Sequence, residues 1–121
     1  MLIGVVDDDV RMLEAIGELL AASGYEACLF ESAEAFLQSD VGQGASCVIS
    51  DLGMPGMSGI ELVSELKARN RNLPVILITA RKLTDVQRIC HEAGAFAIIA
   101  KPFDPSETLA LLRLATSKHN S

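Results

Sequence analysis

Five short apolar runs, each followed by a stretch with helical spacing of apolar residues, constrain this chain more than any other feature. The runs are Leu2–Val6, Tyr25–Phe30, Cys47–Ser50, Val75–Ile78 and Phe96–Ala100. The first is apolar and β-branched without polar alternation, as expected of a strand covered on both faces. The intervening segments carry apolar residues three and four apart. Leu13, Ile16, Leu19 and Leu20 define a first helix over about 9–22, with Asp8 or Asp9 at its cap and Gly24 after its end. Ser32 precedes a short helix anchored by Phe36 and Leu37, and Val41–Ala45 reads as a Gly-containing turn. A helix from Ser58 or Gly59 to Asn70 turns Ile60, Val63 and Leu66 inward. Another from Thr84 to Glu92 does so with Val86 and Ile89, and Gly94 stops it. A last one from Pro105 to Thr116 uses Leu109, Leu112 and Leu111. Strands alternating with helices imply a parallel sheet with helices on both faces. The fold class is α/β, and the 121 residues form one domain.

In such sheets, ligands sit beyond the carboxyl ends of the strands. Four of the five strands end there in residues with chemistry: Asp7-Asp8-Asp9, Asp51, Thr79 and Lys101. The second ends in Phe30-Glu31 and reads as structural. Periodicity leaves the strand order open. An order with the first and third strands adjacent would place the aspartate cluster beside Asp51.

Asp8, Asp9 and Asp51 would then form a pocket of carboxylates, each raising the others' cost of ionising. A hard divalent cation resolves that repulsion, because Mg²⁺ seeks oxygen ligands and retains several waters. The carbonyl of Gly53, two residues past Asp51, is placed to turn back toward such an ion. Lys101 offers a point charge to a carboxylate or a phosphoryl oxygen. Thr79 adds a hydroxyl at the adjacent rim. A carboxylate nucleophile, a divalent ion, an ammonium and a hydroxyl together are what phosphoryl transfer to a side chain requires.

Composition removes several other functions. The net charge of −6, with no basic run, argues against a general nucleic-acid surface. No apolar stretch approaches a membrane span, and the opening segment has no basic leader. A cytoplasmic location is expected, and Cys28, Cys47 and Cys90 read as buried free thiols, at spacings that make neither a zinc site nor a disulfide framework. No glycine-rich dinucleotide fingerprint or Walker lysine follows the first strand. His91 and His119 read as surface residues.

The segments Val5-Val6-Asp7-Asp8-Asp9, Asp51-Leu52-Gly53-Met54-Pro55-Gly56-Met57-Ser58-Gly59, Ile78-Thr79-Ala80 and Lys101-Pro102-Phe103 resemble the receiver domain of two-component response regulators, across essentially the whole chain. Gly24-Tyr25, Phe30-Glu31-Ser32-Ala33-Glu34 and Phe36-Leu37 further resemble receivers of the nitrogen-fixation, LuxR-type regulator group. The resemblance implies a flavodoxin-like sheet of order 2-1-3-4-5 with five flanking helices. It implies a phosphoacceptor at Asp51, an acidic metal pair at Asp8 and Asp9 with Asp9 the more direct ligand, and a metal-binding carbonyl at Gly53. It also implies a switch hydroxyl at Thr79, a lysine at Lys101 and a cis Lys101-Pro102 bond. Mg²⁺ is the implied cofactor, with Mn²⁺ as a substitute, and a histidine kinase or phosphotransfer protein is the implied donor. The domain would catalyse its own phosphorylation and slow dephosphorylation, not turnover of external substrates. Dimerisation on phosphorylation, and service as the regulatory half of a transcription factor, are further family expectations, with no nucleic-acid contact by this domain. Residues 117–121 would be a frayed tail or the start of a linker.

Ile98 departs from the family pattern. Receivers usually carry an aromatic residue three positions before the lysine, and its ring turns inward as the Thr closes on the phosphoryl group. The residues that flank the hydrolytic water in the family fall on Gly53 and Arg81. Two other readings remain open at this point. One is a receiver-like module that signals without phosphorylation, which Ile98 favours. The other is an aspartyl-phosphate phosphohydrolase, disfavoured because Gly53 stands where such enzymes carry a second Asp.

Overall fold

The computed structural model describes residues 1–117. The strands are β1 (Leu2–Val6), β2 (Glu26–Phe30), β3 (Cys47–Asp51), β4 (Val75–Thr79) and β5 (Ala97–Ala100). The helices are α1 (Val10–Ala22), α2 (Ala33–Gln38), α3 (Gly59–Ala68), α4 (Leu83–Ala93) and α5 (Pro105–Ser117). All strand pairs are parallel, in the order β2-β1-β3-β4-β5, as the family resemblance implied. Each central strand is buried along nearly its whole length, which is why its sequence is apolar without alternation.

The strands' alternate side chains feed two apolar layers. On one face, Ile3, Val5, Ile49, Ile76, Ile78 and Ile99 pack with Leu13, Ile16 and Leu20 of α1 and Leu112 and Ala115 of α5. On the other, Val6, Val48, Val75 and Leu77 pack with Phe36 of α2, Leu62 and Leu66 of α3, and Val86 and Cys90 of α4. Gly4 belongs to this second layer. A Cβ there would stand 2.7 Å from Cε1 of Phe36, so glycine lets the ring lie directly on β1.

Local signals define the helix starts. Asp9 caps α1 by accepting the amide of Arg11, Ser32 caps α2, and Ser58 with Glu61 forms a capping box on α3. Gly94, at φ +100°, ends α4 in the left-handed conformation.

Several packing expectations shift. Ile89 is 53 % exposed, and Cys90 takes the inward place, four residues and so one turn after Val86. On α3, Leu62 joins Val63 and Leu66 inside, while Ile60 is half-buried. Leu109 and Leu111 of α5 are half-buried, and Thr108, Leu112, Ala115 and Thr116 are buried instead. The two threonines are tolerated there because their hydroxyls donate to the carbonyls of Asp104 and Leu112, four residues back. The expected turn at 41–45 contains a 3-10 turn over Gly42–Gly44. Cys47 and Cys90 are buried free thiols, but Cys28, on edge strand β2, is half-buried. Burial pushes the Cys47 thiol up to about 12, so it is protonated and unreactive at neutral pH. His91 is exposed on α4. His119 and nearly all of the expected tail lie outside the described residues. No helix among the described residues is long and apolar enough to cross a membrane.

Candidate phosphoacceptor site

The strand register brings the chemical residues to one rim. Val6 pairs with Ser50, so Asp7 and Asp51 leave their strands at the same level. Asp51 pairs with Ile78, and Thr79 with Ala100, so Thr79 and Lys101 lie successively further out along the edge. The amide of Lys101 donates to the carbonyl of Thr79 at 2.7 Å, tying the last two strand ends together. The Lys101–Pro102 bond is cis, as the resemblance implied.

Lys101 organises the centre. Its Nζ lies 3.0 Å from Oδ1 of Asp51 and 3.6 Å from Oδ2 of Asp7. Asp51 is 8 % exposed and Asp7 only 1 %. Asp7, Asp8 and Asp51 each present a carboxylate oxygen within 4.8 Å of the others. Burial pushes the Asp7 carboxyl up from its ordinary value, with the charges of Asp51 and Asp8 adding to the rise. The Asp9 amide and Lys101 pull the other way without reversing it. For Lys101, burial alone would lower the value. The hydrogen bond to Asp51 and the charges of Asp51 and Asp7 outweigh it, so the ammonium is held above its usual range.

The acidic group differs from the expected one in a single residue. The sequence pattern paired Asp8 with Asp9, and the structure instead groups Asp7 with Asp8 and Asp51. Asp7 is the first residue past β1, and its amide still donates to the carbonyl of Phe30 on β2, which holds it at the sheet edge. Two residues later the chain has entered the turn into α1. The Asp9 carboxylate faces the helix, accepting the amide of Arg11 at 3.0 Å, while its own amide donates to Oδ1 of Asp7 at 2.9 Å. The missed signal was the end of the apolar run itself. The first polar residue after Val6 is the one that the sheet delivers to the rim.

Whether these residues suit a divalent cation can be judged from Asp7. Its Oδ2 is buried and has no hydrogen-bond partner. The 3.6 Å approach of Lys101 is an ion pair but too long for a hydrogen bond. A buried carboxylate oxygen left in that state is costly, and with two more carboxylates beside it the donor set is all hard oxygen. That set fits Mg²⁺ or a similar ion. Gly53 is exposed, and a Cβ there would meet nothing within 4 Å, so space beside the rim is open.

Thr79 is buried, and its Oγ1 accepts the amide of Arg81 at 3.0 Å. Arg81 itself is exposed. Ile98 is half-buried on β5, level with Leu77 of β4, and packs against the layer containing Val86 and Cys90.

Known proteins resemble this chain in sequence and fold. The chain is 34 % identical over 111 residues to the transcriptional regulatory protein FixJ of Bradyrhizobium diazoefficiens, covering 92 % of this chain and 54 % of FixJ. It is also 34 % identical over 118 residues to the DNA-binding transcriptional regulator NtrC of Escherichia coli, covering 98 % of this chain and 25 % of NtrC. The chain thus spans about half or less of the length of these curated relatives. Among solved structures, the receiver domain of a Clostridium thermocellum response regulator superposes with a TM-score of 0.87 at 25 % identity, covering 98 % of this chain and 96 % of that one. The N-terminal domain of FixJ does so at 0.86 and 29 %, covering 96 % and 93 %. Residues 3–113 match the family model of the response regulator receiver domain, and the chain belongs to that family.

Proposed function

We propose that this chain is a phosphoacceptor signalling domain in which Asp51 takes a phosphoryl group from the phosphohistidine of a histidine kinase or phosphotransfer protein. The observation that carries the reading is one ammonium, that of Lys101, held between Asp51 and Asp7 at the rim where Asp8 joins them. A carboxylate attacks an anionic phosphoryl group only if the charge on both is offset, and Lys101 supplies a fixed part of that offset. One oxygen of Asp51 forms a bond to phosphorus as the bond from phosphorus to the donor imidazole nitrogen breaks. The electron pair leaves on that nitrogen. The buried hydroxyl of Thr79, on the neighbouring strand one residue past the partner of Asp51, would donate to the new phosphoryl oxygens.

Asp7, Asp8, Asp51 and the carbonyl of Gly53 would hold the Mg²⁺, or Mn²⁺ in its place. When bound, the ion supplies the positive charge that lets three carboxylates ionise together and that screens the transferring oxygens. Asp9 is left out of this set because its carboxylate is engaged in capping α1.

The acyl phosphate adds charge and acceptor oxygens where Lys101 now meets Asp51. That change biases a pre-existing equilibrium of the loops after β3 and β4 through Thr79 and Lys101, and hydrolysis resets it. With Ile98 on β5, the readout proceeds without an aromatic rotation at that position. The output is control of a partner or of a linked transcriptional domain, with homodimerisation of the phosphorylated form as one means, in the cytoplasm.

The test is intact-mass analysis after incubation with a small phosphodonor and Mg²⁺. The wild type gains one phosphoryl group, and Asp51→Asn and chelator-treated protein gain none. Unchanged labelling of Asp51→Asn would overturn the assignment.

A further inference from the structure

The loop between β3 and α3 carries the residues that follow Asp51, yet few bonds hold it. Leu52 is fixed at its start, with its amide donating to Ile78 and its carbonyl accepting from Gly59. Leu52 and Met54 are also buried. Among the described residues, Gly53, Pro55 and Gly56 are exposed, and no hydrogen bond ties residues 53–56 to the rest of the protein. The next amide in line, that of Met57, donates to Oε2 of Glu34 at 3.1 Å. Glu34 lies on α2, twenty-three residues away in sequence, and among the described residues it is the only side chain from outside the flanking β3 and α3 that bonds to this loop. The amide after it, that of Ser58, donates to Glu61 within the capping box of α3.

Gly56 is shaped to the same contact. Its φ of +75° favours glycine, and a Cβ there would stand 2.7 Å from Oε2 of Glu34. The loop therefore makes room for the Glu34 carboxylate at one residue and donates to it at the next. The carboxylate also lies at the N-terminus of α3, where negative charge is favoured.

We propose that Glu34 is a positioning residue for the chemistry at Asp51: by accepting the Met57 amide it holds the shape of the β3–α3 loop, the segment that runs from Asp51 through Gly53 beside the acidic rim. The contribution is to geometry, since Glu34 touches none of the reacting atoms. This inference rests on the phosphoacceptor reading for its functional consequence, but its structural half stands separately.

Glu34→Ala and Glu34→Gln separate the possibilities. Glutamine retains an acceptor oxygen of the same reach, and alanine retains none. Amide exchange read by NMR is the first arm. Because the bond is charge-assisted, its loss speeds exchange of the Met57 amide about tenfold in Glu34→Ala, and Glu34→Gln restores most of the protection. The second arm is the Mg²⁺ concentration needed for half-maximal labelling of Asp51 by a small phosphodonor. It rises severalfold in Glu34→Ala and returns toward wild type in Glu34→Gln. Unchanged Met57 exchange in Glu34→Ala overturns the inference whatever the labelling shows. Faster exchange with an unchanged Mg²⁺ requirement overturns it too, because the clamp would then be structural alone. Absence of labelling in the wild type overturns the phosphoacceptor reading instead.

Discussion

Two glycines in the segment after Asp51 should respond oppositely to the same added methyl group. At Gly59, the first residue of α3, a Cβ would stand 2.5 Å from the carbonyl oxygen of Asp51, 2.8 Å from Cδ2 of Leu77 and 3.1 Å from Cα of Leu52. Ordinary contact begins at 3.4 Å, so the first approach is about 0.9 Å too short. Two of the three neighbours are backbone atoms of the strand end that delivers Asp51, and they cannot rotate away. Overpacking of this kind costs about 1–3 kcal/mol, from which the gain of alanine over glycine in helix propensity and chain entropy removes up to about 1 kcal/mol. The balance, about 1 kcal/mol at the middle of that range, corresponds to a Tm lower by roughly 4 °C for a domain of this size. At Gly53 no atom lies within 4 Å of where the methyl carbon would stand, and its φ is not in the left-handed region. Gly53→Ala should therefore leave Tm unchanged or raise it by a few degrees. Thermal denaturation followed by circular dichroism reads both, and labelling of Asp51 should fall in Gly59→Ala, because the strand end must move to admit the methyl. A Gly59→Ala protein as stable as the wild type, or a Gly53→Ala protein equally destabilised, would refute the reasoning.

Asp7→Asn should stabilise the metal-free protein at neutral pH by roughly 1–3 kcal/mol, since it removes a buried charge whose Oδ2 lacks a hydrogen bond. The folded Asp7 carboxyl is raised above its ordinary 3.8, so its ionisation opposes folding above the folded value and not below the unfolded one. The advantage of Asp7→Asn in denaturant titrations should shrink as pH falls through the folded value toward 3.8; an advantage independent of pH would refute this. Lys101→Met should destabilise the protein by about 1–3 kcal/mol at pH 7, because Asp51 and Asp7 lose their shared cation. Lys101 is raised above its ordinary 10.5, so its stabilising contribution is whole below that value and is lost as pH rises through the folded one. The wild-type advantage should therefore persist to about pH 10 in the same titrations. Ser58→Ala should cost about 1 kcal/mol in urea denaturation by removing the capping box on α3.

What the amino-acid sequence determines by itself here is the alternation of strands and helices and the identity of most rim residues. Short, β-branched apolar runs such as Val75–Ile78, set between stretches of helical spacing, read as strands buried on both faces, and the polar residue that ends such a run emerges at the sheet edge. Asp51, Thr79 and Lys101 each close an apolar run in this way, a local signal that needs no tertiary contact. Strand order was legible only through family resemblance, because pairing joins residues far apart in sequence. The choice among Asp7, Asp8 and Asp9 was decided by tertiary structure. Three adjacent identical residues carry no periodic signal, and their roles depend on where the β1 ladder ends and the α1 cap begins. The inward turn of Cys90 in place of Ile89 likewise depends on how α4 sits on the sheet, since one residue on a helix is a rotation of about 100°. The clamp from Glu34 to Met57 is the clearest case of all. Nothing in either segment announces a partner twenty-three residues away, and only packing α2 beside the β3–α3 loop creates the bond. The residue order alone thus specified which polar groups close the buried strands. Tertiary structure decided which of them share one ammonium, because charge and geometry at the rim are set by strand register and helix placement together.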